Sequence, residues 1–171
     1  WGLMMDGPDI ASLPKIELHC HLDASVRVET VAELGRELGC VLPVPLRTAL
    51  GAPELCHDLA DYIRRIDLAL EVMQRPQPLA RIAREVVEDM AADGVIHGEI
   101  RFAPQLHTRE GLSMQQVLDA VHAGLSAAAR QHGISVGLIL CCLRHQSPEL
   151  SLQVARLADR KPQRQTVHHD V

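Results

Sequence analysis

Residues 134–143 read ISVGLILCCL, a nearly continuous apolar run one strand long. A strand that is apolar on both faces must be covered on both, which is the condition of a parallel sheet flanked by helices. Two other segments alternate with period two, the mark of a strand. In residues 15–23, Ile16, Leu18, Cys20 and Leu22 take one face and Glu17, His19, His21 and Asp23 the other. In residues 95–103, Ile96, Ile100 and Phe102 oppose His97, Glu99 and Arg101, and Pro104 closes the strand.

Helical stripes separate these strands. Val28, Val31, Leu34 and Leu38 recur at helical spacing, with Gly39 placed to stop the helix. Residues 40–56, punctuated by proline and glycine, read as a long loop. Leu59, Tyr62, Ile63, Ile66, Leu70 and Met73 form the next stripe, and Leu79, Ile82, Ala83, Val86 and Met90 another beyond Pro76 and Pro78. Ser113 and Gln116 have capping-box spacing ahead of Met114, Val117, Leu118, Val121 and Leu125. Ser147 and Pro148 start a last helix bearing Leu150, Val154 and Leu157. Repeated strand–helix units imply an α/β fold with a parallel sheet. Residues 1–12 read as a lead-in and 13–159 as the domain. Residues 160–171, polar and without periodicity, are expected to lack regular structure.

Composition removes several functions. The net charge is −5 over 171 residues, so no overall basic field draws the chain to nucleic acid. Trp1, Tyr62 and Phe102 are its aromatic residues, too few for a base-stacking platform. No run of 18 apolar residues suggests a membrane span, and no signal-peptide pattern opens the chain. The five cysteines are odd in number and two are adjacent, which reads as reduced, buried thiols and a cytoplasmic setting.

His19 and His21 carry the chemistry. Two apart on a strand, their Cα atoms lie roughly 6–7 Å apart and their imidazoles project from the same face. Rings so placed can converge on one ion at Zn–N distances of about 2.0–2.1 Å. Asp23 continues that face toward the carboxyl end of the strand, where α/β folds bind ligands. A polar strand face is otherwise a solvated one, but a first strand of several strand–helix units is poorly placed for solvation. For Glu99 and Arg101 the plain expectation is an ion pair. Arg144 and His145 would orient a neighbouring loop, and His57, His107, His122 and His132 are expected to be solvated. His97-Gly98-Glu99 lacks the Cys-x-x-Cys that a cytidine-type zinc deaminase needs. No glycine-rich phosphate loop is present.

The segment LPKIELHCHLD, residues 13–23, closely resembles the opening signature of the adenosine deaminase family. GVIHGEIRFAP, residues 94–104, is similar to that family's second strand, and LCCLRHQ, residues 140–146, to its third strand and following turn. The resemblance runs from about Leu13 to about Asp159. It implies a TIM-like (β/α)8 barrel of which the first three strand–helix units are present. It further implies zinc-dependent hydrolysis of adenosine or 2′-deoxyadenosine to inosine or 2′-deoxyinosine and ammonia. By the same likeness His19 and His21 are zinc ligands, His21 also lies beside the purine nucleoside, and Asp23 bonds the ribose. The helix bearing Tyr62, Ile63 and Ile66 would help wall the pocket, although a core stripe is the preferred explanation of those residues. Ala24 stands where the family usually has glycine, which keeps an adenine or modified-nucleoside substrate as the alternative. No match exists here for the family's remaining zinc ligands, its proton donor or its hydroxide-orienting histidine. This chain alone is therefore expected to be an inactive, non-catalytic fragment.

Overall fold

The computed structural model describes residues 12–51, 58–159 and 165–170. Strand β1 (Lys15–His21) leads into helices α1 (Val28–Leu38), α2 (Leu46–Leu50), α3 (Leu59–Leu70) and α4 (Pro76–Ala92). Then come β2 (Val95–Phe102), a 3-10 turn (Pro104–His107), α5 (Met114–His132), β3 (Ser135–Leu143), α6 (Pro148–Asp159) and β4 (Gln165–Asp170). All pairings are parallel, in the order β1-β2-β3-β4.

Local chemistry sets most of these boundaries. Gly39 and Gly133 adopt left-handed φ values of 71° and 68° and end α1 and α5, a conformation that costs glycine nothing. Ser113 accepts from the Gln116 N–H while the Gln116 side chain accepts from the Ser113 N–H, closing the capping box. Ser147 Oγ accepts from the Leu150 N–H at 3.3 Å, with Pro148 heading α6.

The helices cover one face of the sheet. Leu79, Ile82, Val86 and Val87 of α4 and Val117, Leu118 and Val121 of α5 share a core with Ile100, Phe102, Leu138, Leu140 and Cys142. Full burial of side chains such as Ile82 and Leu118 stabilises by about 1.5–3 kcal/mol each. The opposite face holds a smaller cluster of Ala103, Ile139 and Cys141. β3 is thus buried on both sides, which accounts for its unbroken apolar sequence. Helices α4 and α5 approach so closely that a Cβ on Gly124 would collide with the Ala80 carbonyl oxygen. Helix α1 is tied to α4 by Arg27 on Asp89, by Thr30 Oγ1 donating to Glu85 at 2.6 Å, and by Arg81 bridging Glu33 and Glu85.

Three expectations are corrected. Residues 165–170 are not irregular: they form β4, with Leu138 opposite Gln165 and Leu143 opposite Asp170. Ladder bonds use main-chain N–H and C=O groups, so β3 can recruit a partner whose side chains show no period. A fourth strand therefore follows the three strand–helix units. The segment 40–56 contains one helix, α2, begun at Pro45, whose fixed φ suits a helix start; its residues 52–57 lie outside the described set. The stripe on α3 is core at one end only. Leu70 and the following Met73 are buried, whereas Tyr62 and Ile63 remain 43% and 45% exposed.

No described helix is long and apolar enough to cross a membrane. Cys20, Cys40, Cys141 and Cys142 are free thiols, the last two buried and the first two half-buried; Cys56 lies outside the described residues.

Candidate active site

The histidine pair sits on β1, and a bulge aims it. Glu17 pairs with Gly98 and Cys20 with Ile100, so β1 carries one more residue than β2 over this interval. The insertion breaks the alternation expected across residues 15–23. Glu17 joins Cys20 on the helix side, where both line a cavity of about 260 Å³ with Met90 and Val95. Its Oε1 accepts from the main-chain N–H of His19 at 2.7 Å, satisfying a donor beside the bulge. His21 pairs with Arg101, whose neighbours Ile100 and Phe102 face the helices, so His21 lies on the helix-free face.

His19 and His21 converge there. Their Nε2 atoms are 3.3 Å apart and their ring centroids 5.2 Å apart. Two ligands at about 2.0–2.1 Å from one tetrahedral ion are themselves separated by about 3.3–3.4 Å. The donor set and its spacing therefore fit two corners of a zinc site. His19 is exposed and His21 half-buried. Among the described residues no third carboxylate, thiolate or imidazole joins the pair.

Asp23 does not continue the strand. It occupies the turn after β1, 9% exposed. Burial lifts its carboxyl above the usual aspartate range, opposed by the nearby His21 and by the main-chain N–H groups of Asp23 and Ala24. Asp67 of α3 adds to the upward push. The exposed Tyr62 and Ile63 belong to that same helix.

Glu99 Oε1 lies 4.0 Å from His97 Nε2, and Arg101, 7% exposed, donates to the Leu18 carbonyl at 3.3 Å. Arg144 and His145 are exposed in the turn after β3. His107 contradicts its expected solvation. It is fully buried, and its Nδ1 donates to the Met73 carbonyl at 3.1 Å. Gln74, also buried, donates to the Leu70 and Leu106 carbonyls and accepts from the Arg109 N–H. Together they clamp the end of α3 to the turn after β2. The visible signal was a His three residues after a strand-ending proline.

The family model for adenosine deaminase matches residues 14–170. The chain belongs to the adenosine deaminase family. Adenosine deaminase from Clostridium perfringens is 41% identical over 143 residues, covering 81% of this chain and 43% of its own length. That from Enterococcus faecalis is 36% identical over 157 residues, covering 90% and 47%. This family member thus spans less than half the length of these curated relatives. Among solved structures, an amidohydrolase from Burkholderia ambifaria with bound zinc superposes with a TM-score of 0.83 at 28% identity, covering 93% of this chain and 44% of that one. An adenine deaminase from Arthrobacter aurescens gives 0.79 at 28% identity, covering 92% and 49%. An Arabidopsis N6-mAMP deaminase gives 0.78 at 29% identity, covering 94% and 50%. The four-stranded parallel sheet, helices on one face, is part of a (β/α)8 barrel.

Proposed function

We propose that this chain supplies the amino-terminal half of a zinc-dependent site that hydrolyses the 6-amino group of adenosine or 2′-deoxyadenosine, releasing ammonia. The observation that carries the reading is the 3.3 Å separation of His19 Nε2 and His21 Nε2, the span of two ligands on one tetrahedral cation. Zinc held there supplies Lewis-acid activation of water near neutral pH. His19 and His21 hold the ion through Nε2, and the bulge at Glu17 fixes their direction. His21 also borders the nucleoside, and Asp23, in the turn beyond β1, hydrogen-bonds the ribose. Tyr62 and Ile63 on α3 offer apolar surface to the purine. The free thiols suit a reducing, cytoplasmic compartment.

Catalytic zinc takes three protein ligands, and this chain supplies two in the described residues. The 171-residue chain alone is therefore expected not to turn adenosine over, and substantial ammonia release by it would refute that expectation. Titrating the metal-free chain with zinc chloride against a chelating dye tests the site itself. His19→Ala and His21→Ala should each weaken zinc binding at least about tenfold. Unchanged affinity in the double variant would end the reading.

A second substrate reading has its own observation. Ala24 replaces the family's usual glycine directly after Asp23, and an added methyl there alters how closely a sugar can approach. The matched structures named adenine deaminase and N6-mAMP deaminase support keeping adenine or an N6-modified nucleotide as the alternative. Ligand-observed NMR of the zinc-loaded chain with adenosine, adenine and N6-methyl-AMP in turn separates the two.

A further inference from the structure

The peptide bond ahead of His19 is held at both of its polar ends. Between the Glu17–Gly98 and Cys20–Ile100 pairs the register of β1 against β2 skips Leu18 and His19. A bulge of this kind disrupts the ladder, and main-chain groups that leave it need other partners. Leu18 supplies the C=O and His19 the N–H of a single peptide unit, which is planar. The N–H donates to Glu17 Oε1 at 2.7 Å, and the C=O accepts from Arg101 Nη2 at 3.3 Å. Carboxylate and guanidinium make the stronger, charge-assisted kind of hydrogen bond. The two come from opposite sides of the sheet. Glu17 lies with Cys20 toward the helices, whereas Arg101 stands between Ile100 and Phe102, which face the helices, and so takes the helix-free side with His21. Arg101 is buried, and a charge taken out of water is tolerated where fixed acceptors surround it.

With its N–H and C=O both anchored, the plane resists rocking, and the torsions beside it set where the Cα–Cβ bond of His19 points. His21 is fixed differently, by its register against Arg101 within the ladder. We propose that Glu17 and Arg101 are positioning residues for His19. They act together on the Leu18–His19 peptide and so hold the Nε2 of His19 at 3.3 Å from that of His21. The residue count of the bulge decides which face the rings take; the two anchors decide how closely the rings converge. Ligands set in place before an ion arrives spare the cost of ordering them on binding. The consequence for zinc rests on the reading of His19 and His21 as its ligands; the anchored peptide does not.

Zinc chloride titration of the metal-free chain, in competition with a chelating dye, measures the consequence for zinc. Glu17→Ala and Arg101→Met should each weaken zinc binding about tenfold or more. Glu17→Gln, whose amide oxygen still accepts from the His19 N–H, should stay within about threefold of the native chain. A plain field effect of the two charges has the opposite signature. Loss of a cation near the ion would tighten binding in Arg101→Met, and Glu17→Gln would weaken it as much as Glu17→Ala. Either result overturns the proposal. Because both anchors hold one peptide, the double variant Glu17→Ala/Arg101→Met should weaken zinc by less than the product of the single effects; the full product would overturn the joint hold. Hydrogen exchange of the His19 amide, followed by NMR without metal, tests the anchored peptide itself. Exchange should quicken at least about fivefold in Arg101→Met as well as in Glu17→Ala, although that N–H donates to Glu17 and not to Arg101. Quickening in Glu17→Ala alone overturns the shared anchorage. If Arg101→Met loses its far-UV helical signal, Arg101→Lys, which keeps the charge but lacks the guanidinium fork, takes its place with the same expectations. A native chain that takes up no zinc while the exchange result holds upholds the anchored peptide and refutes the metal reading.

Discussion

His107 should make stability pH-dependent in a direction and size that follow from its surroundings. Burial pushes its imidazole down to about 4, opposed by the Met73 carbonyl, with the Arg109 charge adding to the fall. The unfolded chain leaves the ring near its ordinary value of about 6.5. On acidification the unfolded state therefore takes up the proton first. The stabilisation is complete above about pH 6.5 and is lost progressively as pH falls toward about 4. Linkage between those two values gives a loss of about 2 kcal/mol at pH 5 and about 3 kcal/mol once the folded ring also titrates. His107→Asn isolates this contribution, because its amide can donate to Met73 from nearly the position of Nδ1 while carrying no titrating proton. Urea unfolding followed by circular dichroism at pH 7.5 and 5.0 supplies the four free energies required. The native chain should lose about 2 kcal/mol more than the variant over that interval. Equal losses, within about 0.5 kcal/mol, would refute the reasoning that places a neutral imidazole in this core.

Two other substitutions probe the packing that supports the site. Gly124→Ala drives a methyl into the Ala80 carbonyl oxygen between α4 and α5, and should cost about 1–3 kcal/mol in urea unfolding; no change would mean the helices have slack. Glu85→Ala leaves Thr30 Oγ1 without its acceptor and Arg81 with Glu33 alone inside the α1–α4 joint, for an expected loss of about 1–3 kcal/mol, moderated by the partial exposure of Arg81. Glu85→Gln, which keeps a hydrogen-bond acceptor, should recover part of it, and an identical loss in both variants would show that the charge alone matters.

Where the sequence was legible, a local rule had no competitor. Ile100 and Phe102 alternate with Glu99 and Arg101, and β2 turns them as the alternation says. Ser113 and Gln116, Gly39 and Gly133 mark helix ends by chemistry confined to one turn. What was hidden depends on a second segment. The register of β1 against β2 inserts a residue between Glu17 and Cys20, and nothing in the perfect alternation of residues 15–23 announces it. Asp23 left the strand because the chain turns at Leu22. β4 was hidden because pairing with β3 runs through the main chain. His107 looked solvated because a loop histidine usually is; its burial comes from Met73, distant in sequence, and from the ring of Phe102 at the end of β2. The histidine pair itself was legible, since two residues of one strand need no partner to be neighbours.

The bulge on β1 gives the site an unusual kind of vulnerability. Which way the two imidazoles look is decided by a tally of residues between Glu17 and Cys20, rather than by what those residues are. Side-chain replacements there leave the phase of the strand intact. Deleting Leu18 instead forces a choice: either Glu17 swings toward the lumen or both rings swing toward the helices, and with them any capacity to share an ion.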